Sequence, residues 1–227
     1  MPPQFTANKY AGAATSLAYD AGPNNGPPVV FLHGLGTRRQ DWTAVLREFA
    51  SGNQVFAPDL RGHGDSGRVP GGYRFTQYAD DIIPFLREVV GEPAALVGHS
   101  LGGVIAAVIA ADHPELVATA VAVDPPLFTK RHAGGENPTR YRERFKRAQE
   151  LAASDMTEIG LFTMLQKRSP NRPAYVTRAL ARNLVKLDPD VFTLALEGGK
   201  QLDFDTDDLV ERLARPMLLI QADPENG

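Results

Sequence analysis

Five short apolar runs recur along this 227-residue chain, and helical stretches separate the first four of them. Each run has the length and apolar content of a buried parallel strand. The runs cover residues 27–34, 53–60, 93–100, 117–124 and 215–223. Strands that alternate with helices in this way predict an α/β fold with a mainly parallel, doubly wound sheet.

Two of the intervening helical stretches have distinct patterns. In residues 75–89 apolar side chains recur at helical spacing, with Tyr78 and Ile82 among them, although Pro84 should kink or split this helix. Residues 101–114 are apolar nearly all round, which is typical of a helix packed against a sheet.

Residues 125–214 follow another pattern, with helical periodicity and no convincing strand. We expect them to form a helical cap, or lid, inserted into a core made of residues 1–124 and 215–227. Pro173 lies near the first turn of one of its helices. Two apolar stripes mark the buried faces of these helices: Tyr141, Phe145, Ala148 and Leu151, and Val176, Leu180, Leu184 and Leu187.

Charge and composition exclude several classes of protein. The 24 Lys and Arg residues balance 27 Asp and Glu to a net charge of −3, which argues against nucleic acid or an anionic membrane as a partner. The absence of Cys excludes disulfides and thiolate metal sites. No basic and apolar leader begins the chain, and the longest apolar run, residues 104–111, is too short to span a bilayer. We expect a soluble, cytoplasmic protein that uses no metal and no cofactor.

The stretch LVGHSLGG, residues 96–103, sets a serine between a buried strand and an apolar helix. A sharp turn there lifts the side chain of Ser100 above the sheet edge, and glycines at 98 and 102 remove side chains that would clash. The positive end of the following helix would stabilise negative charge formed when Ser100 attacks a carbonyl. Ser100 is therefore a candidate nucleophile.

Three motifs together resemble those of the α/β-hydrolase superfamily, and the resemblance covers nearly the whole chain. GHSLG at 98–102 resembles the nucleophile elbow, and HGLG at 33–36 resembles the oxyanion-hole loop, followed by an aromatic residue, Trp42. DLRGHGDS at 59–66 is similar to the family's turn after the next strand, which helps to shape the floor of the active site.

The resemblance implies a role for the main chain of the HGLG loop, in which Gly34 is the first glycine. The backbone N–H groups of Leu35 and Leu101 would form the oxyanion hole. Serine at position 100, where other branches of the superfamily carry Asp, implies acyl transfer.

The general base expected of this family is not evident among the five histidines. They are His33, His63, His99, His113 and His132, and none follows a final strand, where the family's base resides. His132, in the predicted lid, would reach Ser100 only through an unusual lid arrangement. We therefore expect a chain truncated before the last strand and the catalytic histidine.

Three carboxylates are candidates for the acid that orients the base. Asp223 and Glu225 follow the run at 215–223, where many family members carry the acid, while Asp124 ends the preceding strand, where a minority carry it. Asp124 and Asp223 each precede a proline and could equally shape turns. The sequence leaves the choice open.

Two functions from different classes fit these observations. The first is a serine hydrolase that acts on an uncharged, ester-like small molecule through an acyl-enzyme. The second is a non-catalytic protein of the same fold that binds a ligand or partner under the lid. A cofactor-free perhydrolase or haloperoxidase-like enzyme would use the same residues as the first. The oligomeric state is left open.

Overall fold

A computed structural model describes residues 4–128, 138–197 and 203–221. Its seven-stranded sheet has the order β1-β2-β4-β3-β5-β6-β7. The pairs β1–β2 and β2–β4 are antiparallel, and the other neighbours are parallel. The strands are β1 (Thr6–Ala11), β2 (Ser16–Ala21), β3 (Pro28–Leu32), β4 (Gln54–Pro58), β5 (Ala94–His99), β6 (Val117–Val123) and β7 (Met217–Ile220).

The five parallel strands predicted from the apolar runs are confirmed, and the α/β fold with them. The two N-terminal strands were not predicted from the sequence. All residues of β1 but one are exposed, so this strand lacks the apolar run that identifies a buried strand.

Helices cover both faces of the sheet, as a doubly wound fold requires. Val30 and Leu32 face the main core under α2 (Phe75–Phe85) and α3 (Leu101–Asp112), while Phe31 faces α1 (Thr43–Phe49) on the other side. This split follows from the alternation of side chains along a strand. α3 is buried from its first residue to Ala111, as its apolar sequence predicts.

Pro84 lies inside α2 and does not divide it into separate helices. The chain stays helical beyond Phe85, and from Leu86 to Val90 it changes to a wider, π-helical turn. Proline removes a donor from the regular hydrogen-bond ladder, yet the chain stays helical on both sides of it.

Five α-helices lie in residues 138–197 and 203–214, between β6 and β7, and no strand occurs in those two ranges. α5 and α6 share a small core formed by Leu161, Leu165, Ala181 and Leu184. None of the helices in the described ranges has the length and hydropathy needed to cross a bilayer. The five are α4 (Pro138–Ala152), α5 (Glu158–Arg168), α6 (Ala174–Val185), α7 (Thr193–Leu196) and α8 (Thr206–Glu211).

The carboxyl ends of the central strands meet at one edge of the sheet. Leu32 of β3 pairs with Gly98 of β5, and His99 of β5 pairs with Val123 of β6. The loop after β3, the turn after β5 and the end of β6 therefore lie together, although about ninety positions separate the first from the last.

Candidate active site

Ser100 occupies a sharp turn between β5 and α3. Its backbone has φ 48° and ψ −111°, a conformation that a non-glycine residue rarely adopts and that costs on the order of 1–3 kcal/mol. The Ser100 N–H donates to the carbonyl of Val123 at 2.8 Å, and the Ser100 carbonyl accepts from Val104 at 3.1 Å. Packing and hydrogen bonds on both sides hold this strained turn in place.

The glycines on either side of Ser100 are required by close backbone contacts. A Cβ atom on Gly98 would lie 2.1 Å from the carbonyl oxygen of Gly102, and a Cβ on Gly102 would lie 2.1 Å from that of Leu32. Real Cβ atoms do not approach carbonyl oxygens so closely, so both positions exclude a side chain. α3 packs directly against the end of β3 for this reason.

The loop after β3 packs against the turn that holds Ser100. A Cβ on Gly34 would lie 2.7 Å from Nδ1 of His99, and Gly36 has φ 75°. Within the described ranges, the N–H groups of Leu35 and Leu101 donate no hydrogen bond. Leu101 is the first residue of α3, where the N–H groups have no partner within the helix.

His33 and His63 fix this loop and are buried, with exposures of 1% and 0%. Nδ1–H of His33 donates to the carbonyl of Gly34 at 2.9 Å, and Nε2 accepts from the Leu60 N–H at 2.9 Å. In His63, Nδ1–H donates to the Arg61 carbonyl at 2.8 Å, and Nε2 accepts from the Gly36 N–H at 3.1 Å. Both ring nitrogens of each histidine are therefore engaged.

Burial keeps both of these imidazoles neutral. Desolvation lowers the pKa of His33 to about 4, and desolvation together with the neighbouring His33 lowers the pKa of His63 to about 3. A ring with both nitrogens engaged, and with its pKa this low, is unsuited to take a proton from serine near neutral pH. Both instead hold the loop after β3 in place through these hydrogen bonds.

Of the other histidines that the structure describes, neither His99 nor His113 lines the cavity beside Ser100. His99 is exposed at the end of β5. His113 follows α3 on the surface, where its Nδ1 lies 3.3 Å from Oε1 of Glu115. His132 lies outside the described residues.

Asp124 is the one candidate acid within the described ranges. It directly follows β6, is exposed, and has φ 49°, with its N–H donating to the Ile220 carbonyl at 2.6 Å. It is not among the residues that line the cavity at Ser100. Asp223 and Glu225 lie outside the described residues, so the choice of acid stays a prediction.

The DLRGHGDS motif supports the loop after β3 through a buried ion-pair network. Asp59, which is fully buried, accepts the backbone N–H groups of Arg39 and Asp65 at 2.8 and 2.9 Å and pairs with the Arg39 guanidinium. Arg39 also pairs with Asp20 and Asp65, each at 3.0 Å. Trp42, farther along the same segment, packs on Phe31 with ring centroids 5.3 Å apart.

Ser100 lines a cavity that is partly open to solvent. The floor comes from the loop after β3, from α2 and from the turn at Ser100, while residues 145, 191 and 195 of the helical stretch contribute on another side. None of the described lining residues is charged. They are Leu35, Tyr73, Phe75, Tyr78, Ser100, Leu101, Pro126, Phe145, Val191 and Ala195.

Ser100, Leu35 and Leu101, which the sequence predicts as site residues, line this cavity, whereas no sequence motif indicated its tyrosines. The Tyr73 hydroxyl donates to Oδ2 of Asp188 at 2.6 Å and accepts from the Val69 N–H at 3.0 Å. The helical periodicity of residues 75–89 marked Tyr78 as buried but could not show that it borders a cavity. Within the described residues, no group of three His, Asp or Glu side chains could hold a metal ion.

A family model described as "Alpha/beta hydrolase family" matches residues 29–226. The chain belongs to this family. A 2-(acetamidomethylene)succinate hydrolase of Mesorhizobium japonicum is 30% identical over 159 residues, which cover 70% of this chain and 55% of the relative. An esterase of Mycobacterium tuberculosis is 38% identical over 125 residues, or 54% of this chain and 40% of the relative.

Solved structures share the fold over most of the chain. An E-2-(acetamidomethylene)succinate hydrolase structure has a TM-score of 0.72 and 25% identity, and the match covers 95% of this chain and 80% of that one. A thermophilic esterase from Thermogutta terrifontis has a TM-score of 0.68 and 24% identity, covering 94% and 79%. The chain spans about half or less of the length of the curated relatives it matches, from 27% to 55%.

Proposed function

We propose that this chain is a serine hydrolase that acts on small, uncharged, ester-like substrates through an acyl-enzyme, with Ser100 as its nucleophile. The observation that carries the proposal is that Ser100 lines the cavity from a strained turn at the start of α3. Non-glycine residues in such backbone conformations concentrate at functional sites. Relatives named as hydrolases and esterases support the same reaction class.

The proposed chemistry has two steps. Ser100 Oγ attacks the carbonyl carbon of the substrate while a general base takes its proton, which gives a tetrahedral intermediate. The bond from this carbon to the alcohol oxygen then breaks, the base returns the proton to that oxygen, and the acyl group stays on Ser100. Water then attacks the acyl-enzyme, releases the carboxylic acid and restores Ser100. We assign the N–H groups of Leu35 and Leu101 to the oxyanion that forms in each step, where one preorganised donor is worth about 3 kcal/mol.

The apolar lining supports the proposed class of substrate. Phe75, Phe145 and Val191 offer hydrophobic surface, and no described lining residue supplies a charge to pair with an ionic substrate. Burial of an unpaired charge is costly, so a neutral substrate fits this cavity best. We further propose that the helices between β6 and β7 act as a lid, because Phe145, Val191 and Ala195 help to line the cavity.

A second candidate function is ligand binding without catalysis. The observation that favours it is that His33, His63, His99 and His113 do not line the cavity.

Perhydrolase or haloperoxidase-like chemistry is a variant of the first proposal. A relative from Acinetobacter calcoaceticus is named as a bifunctional esterase/perhydrolase, and one from Streptomyces lividans is named as a non-heme chloroperoxidase.

Acylation of Ser100 by para-nitrophenyl butanoate tests the proposal without requiring efficient turnover. Intact-mass and peptide mass spectrometry should find one butanoyl group per chain, on Ser100, and none on Ser100→Ala. Ser51→Ala, which alters an exposed serine after α1, is the matched control and should be acylated like the wild type.

The same experiment separates the two functions. Acylation at another residue, or equal acylation of Ser100→Ala, would contradict a nucleophilic Ser100. A wild-type chain that binds the ester in the cavity, stays unacylated and releases no para-nitrophenol would establish the non-catalytic alternative.

A further inference from the structure

Tyr78 lines the cavity of Ser100 and has a hydroxyl group with no hydrogen-bond partner among the described residues. The side chain projects from α2, is 1% exposed, and lines that cavity. Its hydroxyl is buried and makes no hydrogen bond within the part of the chain that the structure describes. Buried polar groups in native proteins nearly always have partners, so this exception needs a specific explanation.

The neighbouring Tyr73 shows the contrast. Its ring centroid lies 6.1 Å from that of Tyr78, and its hydroxyl both donates to Asp188 and accepts from the Val69 N–H. The Tyr73 hydroxyl therefore has protein partners for donation and acceptance, whereas the Tyr78 hydroxyl has neither in the described ranges.

The other unpaired atoms lie away from the cavity lining. Across the described residues, seven buried side-chain atoms make no hydrogen bond, and Tyr78 Oη is the only one of them on a residue that lines the cavity. A phenylalanine would fill the same volume without the cost of an unpaired hydroxyl. A ligand atom in the cavity would supply the missing partner.

We propose that the Tyr78 hydroxyl is a substrate-recognition group that donates a hydrogen bond to a neutral oxygen carried by the substrate in addition to its scissile carbonyl. This inference rests on the proposed function, because it assigns the substrate to the same cavity. The matching substrates are esters with an ether, hydroxyl or second carbonyl oxygen within reach of Tyr78.

The protonation state of Tyr78 agrees with a donor. Burial raises the pKa of this phenol well above its usual value, and the nearby Tyr73 raises it further. The phenol therefore stays protonated throughout the neutral range. An ionised carboxylate is a poorer match than a neutral oxygen because no cationic side chain is among the described lining residues.

Arylboronic acids provide the test, since boron forms a tetrahedral adduct with a serine hydroxyl and the aryl group then occupies the cavity. Each pair of probes carries a methoxy or an ethyl group at the same ortho, meta or para position, which exchanges one oxygen for a methylene. Dissociation constants from calorimetry are compared for the wild type, Tyr78→Phe, Tyr73→Phe and Ser100→Ala.

For each pair, the measured quantity is the ratio of the affinity of the methoxy compound to that of the ethyl compound. For at least one pair, we expect this ratio to be about 3- to 10-fold lower in Tyr78→Phe than in wild type. Because the ratio is compared between variants, electronic differences between the probes cancel. Tyr73→Phe should keep the wild-type ratio, since its hydroxyl is already engaged. Equal ratios in wild type and Tyr78→Phe for all three pairs would overturn the inference.

Two further measurements separate the effect of the Tyr78 hydroxyl from effects on folding and from the proposed role of Ser100. Tyr78→Phe should not lower the denaturation midpoint, whereas Tyr73→Phe should lower it by removing two hydrogen bonds. Ser100→Ala should abolish the tight binding of all probes. Unchanged affinity in Ser100→Ala would contradict the proposed function, while the Tyr78 ratio would still decide the present inference.

Discussion

His33 and His63 stabilise the backbone through hydrogen bonds, although histidine in a hydrolase is usually considered a catalytic residue. Each ring donates from Nδ1–H to a carbonyl and accepts a backbone N–H at Nε2. Protonation at Nε2 would break the bond to Leu60 or to Gly36. The loop after β3 therefore depends on two neutral imidazoles.

This dependence predicts a loss of stability in acid. The pKa values of His33 and His63 are lowered to about 4 and about 3 in the folded state, below the unfolded value near 6.5. Below pH ~6.5 the unfolded chain binds more protons, so the free energy of unfolding falls as the pH drops toward the folded values. Each histidine contributes up to about 1.4 kcal/mol per pH unit to this slope.

Urea unfolding at a series of pH values between neutrality and pH ~4.5 measures the effect. His63→Gln should show a shallower decline than the wild type, because one of the two coupled rings is absent. His113→Gln removes a surface ring instead and should keep the wild-type profile. Parallel profiles for wild type and His63→Gln would contradict the prediction.

The sequence could reveal single residues only where a local motif marked them. Gly98 and Gly102 are recognisable because the turn between a strand and a helix requires them within five positions. The bond from Tyr73 to Asp188 joins residues 115 positions apart, and no local pattern encodes it. Nor did the sequence indicate that the Tyr78 hydroxyl has no hydrogen-bond partner among the described residues, since periodicity predicts burial but not hydrogen bonding.

Among the secondary-structure elements, the five parallel strands were predictable because each is a short apolar run between helices. β1 and β2 were not, since they lie toward one edge of the sheet and β1 is mostly exposed. The helical character of residues 138–197 followed from its periodicity. The contribution of these residues to the cavity could not be predicted, because it depends on packing between segments that are distant in sequence.

The contact of α3 with β3 gives a prediction about element packing. Gly102→Ala puts a methyl group 2.1 Å from the Leu32 carbonyl oxygen, so helix and strand must separate. We expect a loss of about 3 kcal/mol or more in the free energy of unfolding, as for other severe overpacking of a core.

Gly52→Ala is the matched control for this measurement. A Cβ at Gly52 would meet no heavy atom within 4 Å, so the unfolding free energy should change by less than ~0.5 kcal/mol. Equal denaturation midpoints for the two variants would show that α3 can move away from β3 without cost.

The two outer strands of the sheet differ in character across the molecule. β1 presents Asn8 and Lys9 at one edge, where polar and charged side chains discourage pairing with other chains. At the other edge, Leu218, Leu219 and Ile220 of β7 are 55%, 37% and 43% exposed. An exposed apolar edge strand is a template for association.

We therefore expect the 227-residue chain to associate at micromolar concentration, with β7 as the contact. Light scattering after size-exclusion chromatography should show a mass that rises with concentration, and Leu218→Lys should reduce that rise. Ala7→Lys adds the same charge at the β1 edge and should leave it unchanged. A monodisperse wild-type monomer across the concentration series would refute this expectation.

The cavity is assembled from two stretches of chain that are remote in sequence. Leu35, Ser100 and Leu101 come from loops at the sheet edge, whereas Phe145, Val191 and Ala195 come from the helical stretch between β6 and β7. Ser100, the proposed nucleophile, and much of the surface around it therefore lie on separate segments of the chain. Exchange of the helical stretch with that of a relative would alter substrate preference while the serine and its strained turn stayed as they are.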